Sequence, residues 1–256
     1  MRAFYAFMKK ELLEQFRTGR LAIIALLFAL FGVMNPTIAK LTPWLLETFA
    51  DSLAESGMTV TAVTVTALDS WMQFFKNMPI ALIIFVLLEG GIFTKEYTSG
   101  TLMLSLTKGL GRSKVVLAKT FVLLALWSVG FWLCYGITYG YNAFFWDNAL
   151  AKSLGFSAFC WYLFGVLAVA LIVLFSVLSF SSTGVLLGTG GVILAVYLVG
   201  FLPKASKYMP TFLTVGSSLI YGTASASDFT YSIVVTAALN LILFAVSIPI
   251  FDKKQL

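Results

Sequence analysis

The chain has 256 residues, of which 60% are hydrophobic types and 11% are charged, with a formal net charge of +6 and no histidine. A soluble domain carries about 25% charged residues and roughly 45–50% apolar ones, so too little polar surface is present to cover a water-soluble globule. Intrinsic disorder, which needs low hydrophobicity, is excluded, as are a disulfide scaffold, with two cysteines, and histidine-based metal or acid–base chemistry; the fold class implied is an all-α integral membrane protein.

Residues 1–19 carry helical periodicity. Phe4, Tyr5, Met8, Leu12 and Phe16 share one face, and Lys10, Glu11, Glu14 and Arg17 the other. This predicts an interfacial amphipathic helix on the inner leaflet, its cations near anionic headgroups. Two roles are open to it: an anchor for the first span, or a lever moved by a cytoplasmic partner through Lys9, Lys10 and Arg17. A charge at mid-bilayer is costly and about 20 apolar residues are needed to cross. Leu21–Ala39 is uncharged and predicts a first span near 21–39, retained in the mature chain because it is too long for a signal-peptide core. Asn35-Pro36 is expected to kink it or mark its exit. Beyond it, Glu47, Asp51 and Glu55 repeat at i, i+4 opposite Leu45, Phe49 and Leu53, predicting a short amphipathic helix over Trp44–Gly57.

A second span is placed near 72–94, where Met78–Leu88 is almost wholly aliphatic between Lys76 and Glu89. Glu89 is the sole carboxylate inside a predicted span. Such a group is a functional candidate by default, here a proton or cation site, but local pairing with Lys95 is the preferred reading. The loop 94–119 that follows holds Lys95, Lys108, Arg112, Lys114 and Lys119. Its middle, Thr101–Leu106, has apolar side chains to bury although it lies outside the bilayer. A short helix docked in a partner's groove uses such a surface; a loop packed beneath its own bundle would use it too.

Thr120–Trp146 is uncharged and predicts a third span near 118–142. Ser153–Pro203 has no charge over 51 residues, about 77 Å as one helix, and must fold back. Ser179–Gly184 is its one cluster of small polar turn formers, giving spans near 156–178 and 184–202. Segment 203–228, with two prolines and a Gly/Ser-rich run, reads as a cap, and Phe229–Phe251 supplies a sixth span near 229–250. Gly136-x-x-x-Gly140 and Gly184-x-x-x-Gly188 are read as packing faces, and Cys134 and Cys160 as small core residues. With the N-terminus cytoplasmic, twelve of the 17 basic residues lie inside and five (Lys40, Lys76, Lys152, Lys204, Lys207) outside, so both termini are expected to be cytoplasmic. Trp44, Trp71, Trp146 and Trp161 then fall near outer boundaries as an aromatic belt.

No G-x-x-x-x-G-K-[ST] stretch occurs, Gly109-Leu-Gly111 lacks the third glycine of a dinucleotide fingerprint, and no zinc-ligand spacing or Ser/His/Asp set exists. The chain is expected to be neither an enzyme nor a cofactor or nucleic-acid binder.

The amphipathic N-terminal helix, the six spans and the loop after the second span together resemble the ABC-2 type permeases, membrane subunits of bacterial and archaeal ABC exporters. That family shows a Glu, three residues, Gly-Thr, an apolar run and a basic residue; here these are Glu96, Gly100-Thr101, Leu102–Leu106 and Arg112, followed by Lys119. Thr107-Lys108-Gly109 stands where a proline often precedes the basic residue. The resemblance covers nearly the whole chain in layout and about 25 residues in motif. It implies a single transmembrane domain, a coupling helix seated in a separate ATPase subunit through Glu96, Gly100, Thr101, Leu102, Leu104, Leu106 and Arg112, and ATP and magnesium held by that partner. It also implies two ATPase copies, a second permease subunit (identical or paralogous) and residence in the lipid of the cell membrane. With 24 Phe and few polar groups in the spans beyond Ser, Thr, Asn142 and Asn240, the expected cargo is an amphipathic or hydrophobic peptide, antibiotic or lipid. The alternatives are an ATPase-independent carrier using Glu89, and a membrane anchor or immunity-type protein that sequesters a hydrophobic peptide.

Overall fold

The computed structural model describes residues 2–50, 64–107 and 109–254, which are helical with no strand among them. In chain order the helices are α1 (Arg2–Arg17), α2 (Arg20–Thr48), α3 (Ala67–Glu89), α4 (Thr94–Ser99), α5 (Thr101–Thr107), α6 (Arg112–Phe145), α7 (Leu154–Leu178), α8 (Ser182–Gly200), α9 (Gly216–Ile220) and α10 (Thr230–Lys253). Six segments among the described residues, those containing α2, α3, α6, α7, α8 and α10, are long and apolar enough to cross a bilayer, as in a multi-pass membrane protein.

Local chemistry sets the boundaries. Gly19, at φ 71°, separates α1 from α2, a left-handed conformation that costs glycine little. Thr66 and Asp69 form a reciprocal capping box at the start of α3. The α7–α8 turn falls where the polar cluster was expected: Ser181 Oγ accepts the Gly184 N–H at 3.1 Å and Ser179 Oγ the Ser181 N–H at 3.2 Å. Three expectations need correction. α2 does not exit at Pro36 but runs through both Pro36 and Pro43 to Thr48: each ring removes one intrahelical bond, and the Gly32 carbonyl that Pro36 releases accepts from Thr138 Oγ1 at 3.0 Å. The helix expected over Trp44–Gly57 therefore begins as the end of α2, and Asp51 and Glu55 lie outside the described residues. Arg112–Lys119, expected in the loop, form the first turns of α6.

α6 is the central post, packed against α1, α2, α3, α7 and α10. Between helices in lipid there is little hydrophobic driving force, so association rests on close packing and interhelical hydrogen bonds. Both are present. Trp127 meets Phe28, Phe85 and Phe131 at centroid distances of 5.9, 5.4 and 5.5 Å, and its indole lies flush on Gly165 of α7, where a Cβ would come within 1.9 Å of the ring. Asn35 donates to Thr138 Oγ1 at 3.1 Å and accepts from Asn77 at 2.8 Å, joining α2, α6 and α3. Trp71 and Trp161, expected at the membrane boundary, are instead core residues; their indole N–H groups are satisfied by Asn148 Oδ1 and the Thr214 carbonyl, both at 3.0 Å. Gly184 and Gly188 pack α8 onto Ser179 and Phe175, whereas Gly136 and Gly140 face open space. Few residues of α8 and α10 are buried, whereas most of those of α7 are.

Gly165→Ala is expected to cost about 1–3 kcal/mol by overpacking against Trp127, whereas Gly136→Ala stays within about 0.5 kcal/mol. Unfolding of the two variants in detergent separates them, and equal stabilities would refute the α6–α7 contact.

Candidate functional site

One end of the bundle concentrates buried charge. α1 is amphipathic, but its protein-facing stripe is Phe7, Glu11 and Gln15, spaced i, i+4, i+8, and all three are buried. Glu11, expected on the polar outer face, thus points inward; Tyr5, Leu13 and Phe16 are the exposed apolar residues. Lys119, expected in a solvated loop, continues the buried stripe of α6 with Val115, Val122 and Leu126. Its Nζ reaches Glu11 Oε2 at 2.7 Å, Glu96 Oε2 at 2.9 Å and the Ile92 carbonyl at 3.0 Å. Lys10 closes the cluster from the rim, touching Glu11 Oε1 at 2.9 Å, Glu14 Oε2 at 3.0 Å and Glu96 Oε1. Partial burial works against the Lys10 ammonium, but its bonds to Glu96 and Glu11 outweigh that and hold it above its ordinary range. α1, α4 and α6 are therefore joined through two lysines and two buried carboxylates.

Glu11, Glu14 and Glu96 converge closely enough to ligate a cation. The two ammonium groups already occupy their oxygens, so the donor set is that of an ion-pair network, not of a metal centre.

The residues assigned to the coupling loop separate into two sets. Glu96 and Leu102 face inward and are buried, Leu106 is half-buried, and Arg112 donates to the carbonyls of Phe251 (3.2 Å), Asp252 (3.1 Å) and Lys254 at the end of α10. Thr101, Met103 and Leu104 face outward, with Met103 45% and Leu104 62% exposed. Gly100 holds φ 69° between α4 and α5; nothing lies within 4 Å of a Cβ there, so its requirement is backbone conformation alone. Lys9 and Arg17 are exposed, and Lys108 lies outside the described residues.

Two anchors were not anticipated. Tyr97 donates to the Ser176 carbonyl at 3.0 Å. Lys254 donates to the Ser179 carbonyl at 2.7 Å and sits 4.3 and 4.0 Å from the Tyr97 and Phe180 ring centres. The α4 segment is thereby fixed to the carbonyl end of α7, where a cation is favoured. Burial brings Lys254 down to about 8.

Glu89 ends α3 fully buried, and Lys95 does not pair with it: the turn after Gly90 leaves Lys95 exposed. Gln15 Nε2 instead donates to Glu89 Oε2 at 3.4 Å, while Oε1 has no partner among the described residues. The sequence signal for the Lys119 cluster was available: a lysine in register with an apolar stripe on α6 and a glutamate four residues after Phe7 on α1.

No protein-family model and no curated protein matches the chain.

Lys119→Met removes the buried partner of Glu11 and Glu96, leaving them only Lys10 at the rim, and is expected to cost about 3–5 kcal/mol, read by denaturant unfolding. Adding Glu11→Gln and Glu96→Gln should restore much of it; an unchanged loss in the triple variant would contradict the pairing. For Lys254 the folded value is depressed, so the unfolded chain binds the proton more readily between about pH 8 and its ordinary value near 10.4. Stability should therefore rise through that window relative to Lys254→Met, measured as Tm against pH.

Proposed function

We propose that the chain is the membrane-spanning permease subunit of an ATP-binding cassette exporter of the ABC-2 type, with both termini and α4–α5 on the cytoplasmic side. The observation that carries the reading is the construction of α4–α5. Its inner face is bound rigidly to the bundle through Glu96 and Leu102, and its outer face offers Met103 and Leu104 to something else. An exposed apolar pair on an otherwise anchored element suits insertion into a partner's groove. The chain has no nucleotide cradle of its own, so ATP and magnesium reside on the partner.

In this reading α5 contacts the ATPase and α4 carries its displacement to Lys119 at the base of α6. α1, joined to the same ions, moves with them as the lever. Two ATPases and two permease subunits form the transporter, and the aromatic, weakly polar spans suit amphipathic or hydrophobic cargo. A second reading, an ATPase-independent carrier, draws support from Glu89, a buried carboxylate with an unpartnered oxygen.

Gentle detergent extraction should yield a stoichiometric partner of about 25–35 kDa containing a P-loop, and Leu104→Glu should abolish its co-purification without changing the permease's own unfolding. Recovery of the chain alone, with proton-dependent uptake lost in Glu89→Gln, would establish the carrier instead.

A further inference from the structure

At the end of α6 remote from Lys119, about 40 Å along the helix, a cavity of about 480 Å³ opens between the last turns of α6 and the start of α7. Its walls include Tyr135, Tyr139, Trp146, Asp147, Asn148 and Leu154. The volume lies within the range of about 300–1,000 Å³ common to small-molecule sites. Tyr135 and Tyr139 are stacked at 6.2 Å with planes 28° apart, and Trp71 backs Tyr135 at 5.2 Å. Asp147 is the one formally charged group among the lining residues.

The polar rim is held in place by its own bonds. Asn148 accepts from the buried Trp71 indole at 3.0 Å and donates to the Tyr139 carbonyl at 3.1 Å. This clamps the 146–150 turn to both α3 and α6. Asp147 Oδ1 accepts the Ala149 N–H at 2.8 Å, which holds the carboxylate on the 148–150 turn in the cavity lining.

We propose that this cavity binds the head of an amphipathic organic cation, a quaternary or primary ammonium whose apolar tail lies along α6 and α7. Aromatic faces attract a cation through their quadrupoles, and Asp147 adds a full negative charge with no lysine or arginine among the lining residues to oppose it. An inorganic divalent ion is disfavoured, since it needs six or more oxygen ligands and Asp147 is the one carboxylate in the lining. An anion meets both the carboxylate and the π faces unfavourably. The bound cation is either the headgroup of a membrane lipid or a free amphiphile.

Calorimetric titration of the isolated chain in phosphatidylglycerol nanodiscs, with empty discs subtracted, tests this without any ATPase, so its outcome is separate from that of the coupling reading. Hexyltrimethylammonium is expected to bind roughly tenfold more tightly than hexyl glucoside or hexyl sulfate. Asp147→Asn, which retains the Ala149 cap, and Tyr139→Leu should each weaken it by roughly tenfold, while Tyr139→Phe leaves it unchanged. Competition by phosphatidylcholine added to the discs identifies a lipid headgroup as the occupant, and its absence a free amphiphile. Equal binding of the three head groups, or cation binding that survives both Asp147→Asn and Tyr139→Leu in folded protein, overturns the proposal.

Discussion

An ammonium group sealed inside a helical bundle must be neutralised where it stands. Lys119 is nearly fully buried, and desolvating such a charge costs several kcal/mol before any partner is found. Two carboxylates meet that demand, one from α1 and one from α4. Neither element is long and apolar enough to cross a bilayer; the ion pairs, together with buried Phe7 on α1, hold them against the bundle. The same constraint makes the arrangement specific: a register shift of one residue in α1 would turn Glu11 away and leave Lys119 under-compensated.

This construction gives the α1 end two mechanically different layers. The inner layer consists of charge contacts with few alternatives, reinforced by Tyr97 and Lys254 on the carbonyl end of α7. The outer layer is the short α5 helix, attached through Gly100 and anchored by Leu102. Contacts thus run from α5 through Glu96 to Lys119 on α6, a helix that touches most of the bundle. By contrast, α8 has few buried residues and packs mainly on α7, whereas α10 lies against both α6 and α7.

The six apolar segments were legible in the sequence because the cost of intramembrane charge leaves long uncharged runs, and the α7–α8 turn because Ser179–Gly184 is the one place where the chain can reverse. The direction of individual side chains was harder to read. Glu11 and Lys119 looked solvated because charges usually are; each lies on an apolar stripe, but the two stripes meet only once α1 folds back on α6. Pro36 read as a kink or a helix end because proline removes one hydrogen bond; the helix continues, and Thr138, distant in the chain, supplies the freed Gly32 carbonyl with a donor. Trp71 and Trp161 looked interfacial by position alone, whereas their acceptors, Asn148 and the Thr214 carbonyl, are distant in the chain. Local pattern therefore identified the elements, and long-range pairing decided the orientation of their faces.

The spacing of those long-range pairs also has a temporal meaning. Glu11 precedes Lys119 by 108 residues, which at about 5–20 residues per second is roughly 5–20 s of synthesis. Ser179 waits a further 75 residues for Lys254, roughly 4–15 s. During the first interval α1 has no partner on α6, and during the second the carbonyl end of α7 lacks its cation. The Glu11–Lys119 contact can thus form only once the start of α6 has been made, and the α7 end can close only after α10 has emerged. Each stage exposes polar groups that a nascent membrane protein must keep out of lipid.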